Sequence, residues 1–355
     1  MKLLSLTLYD RLGASSRLRY WQYIPWLEEA GFDVKAFPLF PDSYVVDLQN
    51  GRRNMFDVMR ACMRRVRQLL CSEIYDLLWV EKECLPWVPA FFERESLLSR
   101  IPYVLDYDDA VFHSYDGNER WLVRRLLGGK HSELMRGAAM VIAGNSYLAD
   151  FAHNAGARRV EIIPTAIDLH RYFPCDQVPF HSGISIPTVG WIGQRSTGHY
   201  LLPLADLFQE FLEEGTGTFI AIGIDSRKLG LPMVSIPWSE NSEVDSIRKL
   251  DIGIMPLKDG IGERGKCGYK LIQYMACALP VIASPVGVNK QIVEHGVNGF
   301  LAESISEWRM ALQKLLADEQ LRRQMGFAGR DKIKREYCTE VTGPILVGLL
   351  QSVLP

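Results

Sequence analysis

A chain of 355 residues, 48% apolar and 23% charged, has the composition of an ordinary soluble globular protein and is long enough for two domains. Its formal net charge of −2 excludes the overall basicity of a nucleic-acid binder, so no nucleic-acid partner is expected. The seven cysteines are scattered without the paired short spacings of a zinc site and read as reduced thiols of a cytoplasmic protein. No apolar run reaches the ~18 residues of a membrane span. The opening MKLLSLTL is too brief for the core of a signal peptide and reads as a first buried strand.

A loop follows at 10–16, with Gly13, Ser15 and Ser16, and then a helix over 17–30 closed by Gly31, with Ser16 as its N-cap. Arg17 and Arg19 open that helix, where its dipole alone would not place cations. Residues 54–70, NMFDVMRACMRRVRQLL, predict an amphipathic helix whose polar side carries Arg60, Arg64, Arg65 and Arg67 against the single Asp57. That is either a solvated face or a surface drawn to anionic lipid headgroups. Strands are expected over 75–80 and 103–106, the second running into Asp106, Tyr107, Asp108 and Asp109. Three carboxylates in four residues at a buried strand end raise one another's pKa and suggest a metal, a cation partner or chemistry; a turn with an N-cap is the plainer reading. His113 lies close by. A strand at 138–143 ends in Gly144-Asn145-Ser146, the start signature of a further helix, and 160–164 is a short strand.

The stretch 175–186 is rich in Pro, Ser and Gly and reads as the linker between two domains. Beyond it, PTVGWIG predicts a strand into Gly193, Gln194 and Arg195, then a helix to about Glu214; further strands fall at 218–223 and 233–236, with Trp238 after them. In 251–300 the order is strand, glycine-broken loop, helix and strand. The loop holds Gly260, Gly262, Gly265 and Gly268 alongside Glu263, Arg264 and Lys266, and Lys270 lies in the helix's first turn. Free N–H groups at a helix start, close-approach glycines and three cations describe an anion site at the end of a strand. The rest, 304–337 and about 341–354, is helical.

The pair Cys267-Gly268, the run YMACALPVIAS, Gly287, IVEHG and Asn298-Gly299-Phe300 together resemble the donor-binding segment of retaining glycosyltransferases of family four, the group 1 enzymes of the GT-B fold. The resemblance implies two Rossmann-like α/β domains whose parallel sheets face each other across a cleft, over 1–174 (acceptor) and 187–338 (donor). Residues 339–355 are then a helix crossing back to the first domain. The family carries two glutamates that here fall at Gly265 and Gln273, so Glu263 is the nearby carboxylate left for the donor sugar, and Gln273 offers an amide to the ribose. By the same resemblance Gly13 and Gly193 lie against the donor diphosphate, Arg195, Lys266 and Lys270 neutralise it, Cys267 and Gly268 open the donor helix, and Trp238 sits against the base. Asp108 stands beside the reacting sugar, with Ser15, Ser16, Arg17, Asp109 and His113 on the acceptor side.

The expected reaction moves a sugar from a nucleotide-diphosphate donor to a saccharide or lipid-linked acceptor, with no cofactor and no metal, in glycan or polysaccharide synthesis. The place expected for it is the cytoplasm or the inner face of the plasma membrane. The replaced glutamates keep a second reading open, a catalytically weak nucleotide-sugar-binding scaffold. A hexosamine epimerase on the same fold is a third.

Overall fold

The computed structural model describes residues 1–49, 51–98, 100–174 and 186–354. Apart from Ile186, the expected linker, Cys175 included, lies outside them. Among the described residues twelve strands form two sheets of six, every pairing parallel. The chain divides into two compact units: residues 1–165, 264–267 and from 339 on make the first, and 166–263 with 268–338 the second.

The first unit has β1 (Lys2–Tyr9), β2 (Asp33–Phe40), β3 (Leu77–Glu81), β4 (Tyr103–Tyr107), β5 (Met140–Ala143) and β6 (Val160–Ile162) in the order β2-β1-β3-β4-β5-β6. Strands β3, β4 and β5 are buried on both faces, which is why they read as continuous apolar runs rather than alternations. Alternation still sorts their side chains. Leu78, Val80 and Leu105 enter one core, while Leu77, Trp79 and Val104 enter the other. The order reverses at β1, so the carboxyl ends of β1, β3 and β4 form the kind of crevice where open α/β sheets bind ligands.

The helix expected over 17–30 is instead three pieces: Ala14–Arg19, a 3₁₀ turn Trp21–Tyr23 and Ile24–Glu29. Pro25, with no N–H to donate, is tolerated in the first turn of the last piece but not inside a continuous helix. Gly13, not Ser16, is the first N-cap, since the Ser16 hydroxyl is already bonded elsewhere. The helix Thr339–Gln351 belongs to this unit. Its Leu346 and Leu350 are buried with Tyr20, Tyr23 and Trp79, each worth about 1.5–3 kcal/mol of apolar burial, and Thr342 Oγ1 lies 2.7 Å from the Tyr23 hydroxyl.

The second unit has β7 (Thr188–Ile192), β8 (Thr218–Ile222), β9 (Val234–Ile236), β10 (Ile252–Met255), β11 (Val281–Ala283) and β12 (Gly299–Leu301), ordered β12-β11-β10-β7-β8-β9. Here the reversal falls at β7. A 3₁₀ stretch, Arg195–Leu204, precedes the helix Ala205–Glu213 where one continuous helix was expected; Pro203 lies within the 3₁₀ stretch, where a full α-helix would lose a hydrogen bond. The helical 304–337 breaks at Asp318, whose side chain caps the second helix by accepting from Leu321 N at 2.9 Å.

Candidate active site

In the first unit the three carboxylates at the carboxyl end of β4, Asp106 within the strand and Asp108 and Asp109 after it, are each matched to a cation. Asp106 Oδ1 takes the Arg19 guanidinium at 2.8 and 2.9 Å, Asp108 Oδ1 lies 2.7 Å from Lys82 Nζ, and Asp109 Oδ2 lies 3.8 Å from Lys266 Nζ. That matching is how the chain tolerates the cluster. Burial pushes the Asp106 carboxyl up to about 6, against the pull of Arg19. Burial would raise Asp108 too, but the ammonium of Lys82 and hydrogen bonds from Lys82 and Ser15 outweigh it and hold that carboxyl below its ordinary value.

The serines of the first loop serve the same cluster. Ser15 Oγ lies 3.2 Å from Lys82 Nζ, and Ser16 Oγ donates to Glu81 at 2.6 Å while accepting from Tyr9 N at 3.1 Å. Gly13 lies against Tyr9: a Cβ there would meet the Tyr9 Cβ at 2.4 Å. Arg17 is buried and donates to the Arg11 carbonyl at 2.8 Å, and Arg19 is buried in its pair with Asp106, so neither arginine projects from the helix start as the sequence suggested. His113 is tied by Nδ1 to Asp116 at 3.0 Å and by Nε2 to the Tyr147 hydroxyl at 2.8 Å. Sequence reasoning missed Glu81 and Lys82. The signal was present, a Glu-Lys-Glu triplet directly after an apolar strand.

The short segment 264–267 packs into this unit. Asn145, besides capping its own helix through Oδ1, donates Nδ2 to the carbonyls of Gly265 at 2.9 Å and Lys266 at 3.2 Å. Cys267 is buried nearby, and that burial pushes its thiol up to about 12. A Cβ at Gly265 would sit 2.4 Å from the Ala110 Cβ and 2.9 Å from its backbone N, so a larger side chain has no room at this position. The sequence reading grouped Lys266 with Lys270, whereas the structure gives Lys266 to the first unit and Lys270 to the second.

In the second unit Gly268, at φ +65°, caps the helix Tyr269–Ala276 in the left-handed region, and a Cβ there would meet Ile292 Cδ1 at 2.4 Å. Lys270 stands in the first turn with its ammonium 5.3 Å from the Trp191 ring centroid, a cation–π contact. Gly193 leaves the space through which that side chain passes, since a Cβ there would lie 2.4 Å from the Trp191 ring and 3.0 Å from Lys270 Cε. Arg195 is exposed at the start of its 3₁₀ stretch. Gly223, Ile224, Asp225, Ser235, Pro237 and Trp238 line a cavity of about 270 Å³ at the ends of β8 and β9.

Trp238 Nε1 donates to Glu243 Oε2 at 2.5 Å, and the same buried carboxylate accepts from the Tyr172 hydroxyl. Gln273 is buried and donates one amide N–H to that hydroxyl at 3.1 Å. Glu263 is also largely buried; it accepts from the Tyr200 hydroxyl at 2.6 Å and lies 3.8 Å from Lys258. Neither Glu243 nor Tyr172 carried a sequence signal: Trp238 is five residues from Glu243, but Tyr172 is 71 residues from Glu243 and 101 from Gln273.

Residues 229–318 match the family described as glycosyl transferases group 1. That stretch, about a quarter of the chain, falls in the second unit apart from residues 264–267. Across 82 residues the chain is 33% identical to N-acetyl-alpha-D-glucosaminyl L-malate synthase of Bacillus anthracis, a stretch that spans 22% of either protein. Whole-chain similarity is structural. Sucrose-phosphate synthase of Thermosynechococcus elongatus superposes with a TM-score of 0.72 at 14% identity over 99% of both chains. HepE of Anabaena, solved with UDP-glucose, gives 0.70 at 17% identity over 99% of this chain and 100% of its own. With two parallel six-stranded sheets in helical layers, the fold is GT-B.

Proposed function

We propose that the chain is a retaining glycosyltransferase of family four that moves a sugar from a nucleoside diphosphate to a saccharide or lipid-linked acceptor, without cofactor or metal. One observation carries this reading: Gly193, at the end of β7, lies against the Lys270 side chain at a helix start capped by Gly268, and Gly268 and Lys270 fall within the stretch that matches the group 1 glycosyl transferases. A helix N-terminus and a lysine held by its contact with Trp191 suit a diphosphate whose negative charge grows as the glycosidic bond breaks. Arg195 adds charge at the same strand end, and the hollow at Trp238 suits a base. HepE, a structure of similar fold, is solved with UDP-glucose, which supports a nucleotide sugar as donor. In this reading the leaving phosphate takes the acceptor's proton, and Asp108, kept ionised by Lys82, orients the acceptor with Ser15, Asp109 and His113 around it, while the buried Ser16 hydroxyl serves Glu81 instead.

Asp106 and Asp108 spell D-x-D, a pattern that holds divalent metals in another glycosyltransferase fold, but here each is engaged by its own cation, Arg19 and Lys82. The reading is tested by thermal-shift screening against nucleotide sugars, followed by assays of transfer and donor hydrolysis with and without EDTA. A nucleotide sugar should raise the melting temperature, and turnover should survive EDTA. Binding without turnover would favour the scaffold; interconversion of the free nucleotide sugar would favour the epimerase. Loss in EDTA restored by Mn²⁺ would overturn the metal-free reading.

A peripheral contact with the anionic inner face of the plasma membrane belongs to the same proposal. It is supported by the helix Met55–Leu70, where Phe56, Met59 and Met63 are exposed in a stripe beside exposed Arg60, Arg64 and Arg67. Among the described residues no helix is long and apolar enough to cross a membrane.

A further inference from the structure

Lys82 follows the buried strand β3 directly, and its backbone lies in the left-handed region at φ +62°, which side chains other than glycine adopt rarely. The conformation is held from both sides by β4: Lys82 N donates to the Asp106 carbonyl at 3.1 Å, and the Tyr107 hydroxyl donates to the Lys82 carbonyl at 2.8 Å. The ammonium so placed has 7% side-chain exposure and lies 2.7 Å from Asp108 and 3.8 Å from Glu81, with Ser15 Oγ at 3.2 Å. A buried ion pair is weak evidence of stabilisation, because apolar residues of the same volume often do as well, and backbone strain persists where function needs it.

We propose that Lys82 is a positioning residue for sugar transfer, holding Asp108 as a carboxylate in one orientation. The inference rests on the reading that Asp108 faces the acceptor. The groups that act on Asp108 are Ser15 and Arg19 from the first helix, Tyr20 directly after it, Glu81 and Lys82 at the end of β3, Asp106 within β4, and Cys267 from the docked segment. Of these, Arg19 is committed to Asp106, which leaves Lys82 as the cation bonded to Asp108.

The test uses the full chain with K82M, K82R, D108N and K82M/D108N. UDP binding is read by calorimetry, UDP release from UDP-glucose by a coupled assay, and the Asp108 carboxyl by carbon-13 NMR titration, its signal assigned by its absence in D108N. K82M should lower turnover by roughly 30-fold or more, keep UDP affinity within about threefold and move the Asp108 midpoint up by at least about one pH unit; K82R should restore all three readouts to near wild type. In the D108N background K82M should cost less than about threefold, since its partner is already gone. Wild-type turnover with an unmoved Asp108 midpoint in K82M would overturn the proposal, as would a full additional loss in the double variant. If K82M alone fails to fold because Asp108 is left unpaired, the comparison of D108N with K82M/D108N decides. Failure of the wild-type protein to bind UDP would sink the donor assignment instead, and the carboxyl titration, which needs no ligand, would still decide the role of Lys82.

Discussion

Lys270 stands second in the helix Tyr269–Ala276 with its ammonium over Trp191, so it is not a plain solvated lysine. Lys270→Ala should therefore lower the melting temperature slightly, by the ~0.5–1 kcal/mol of an exposed cation–π contact. In turnover the loss should be about 10²–10³, and larger in kcat than in donor affinity, because the charge it faces is greatest in the transition state. Full turnover in that variant would move the diphosphate site to Arg195. His131 gives a prediction of another kind. It is buried with Nδ1 2.8 Å from the Tyr107 hydroxyl, and burial lowers its pKa to about 4 from an ordinary 6.5. The unfolded chain then binds the extra proton first, so this contribution to stability is complete above pH 6.5 and is lost as pH falls from 6.5 toward 4. At its limit it amounts to about 3 kcal/mol. His131→Gln should flatten the pH dependence of unfolding in that window relative to wild type; equal slopes in urea titrations would refute the assignment.

Among the elements, the helix Met55–Leu70 changed most between sequence and structure. Arg65, read as part of a basic face, is fully buried and donates to the carbonyls of Thr7 at 2.7 Å and Phe37 at 3.0 Å. At 100° per residue Met59, Met63 and Phe56 fall into one stripe, with Arg60, Arg67 and Arg64 in the next. The exposed surface is thus apolar and cationic side by side, which a solvated face does not need. Reversing Arg60 and Arg67 to glutamate should weaken binding to anionic vesicles by more than the ~1 kcal/mol per arginine of lost attraction, and Phe56→Ser with Met59→Ser should weaken it even at high salt. Absence of any salt-sensitive vesicle binding by the wild type would point to a soluble acceptor. Arg65→Glu, by contrast, should fail as a membrane test, because it buries an unpaired charge and unfolds the unit.

For the molecule as a whole, the last helix belongs to the first unit although the second unit's chain leads into it. Leu350→Ala should cost about 2–5 kcal/mol and move the unfolding of the first unit, while a core change such as Leu312→Ala moves that of the second. A single transition shifted equally by both variants would mean the units do not unfold separately. The two sheets, the strand-loop-helix openings at Gly13, Gly193 and Gly268, and the acidic run at the end of β4 were legible in the sequence. Buried parallel strands are continuous apolar runs, and glycine and proline mark their ends locally. Pairing was not legible. Nothing in the order of residues says that Asp106 meets Arg19, Asp108 meets Lys82 and Asp109 meets Lys266, or that Ala110 closes the space beside Gly265. Those partners lie tens to more than a hundred residues apart, and only the register of neighbouring strands and the docking of a four-residue segment bring them within bonding distance. Local chemistry sets which groups can react, whereas their ionisation and orientation depend on neighbours that tertiary packing alone selects.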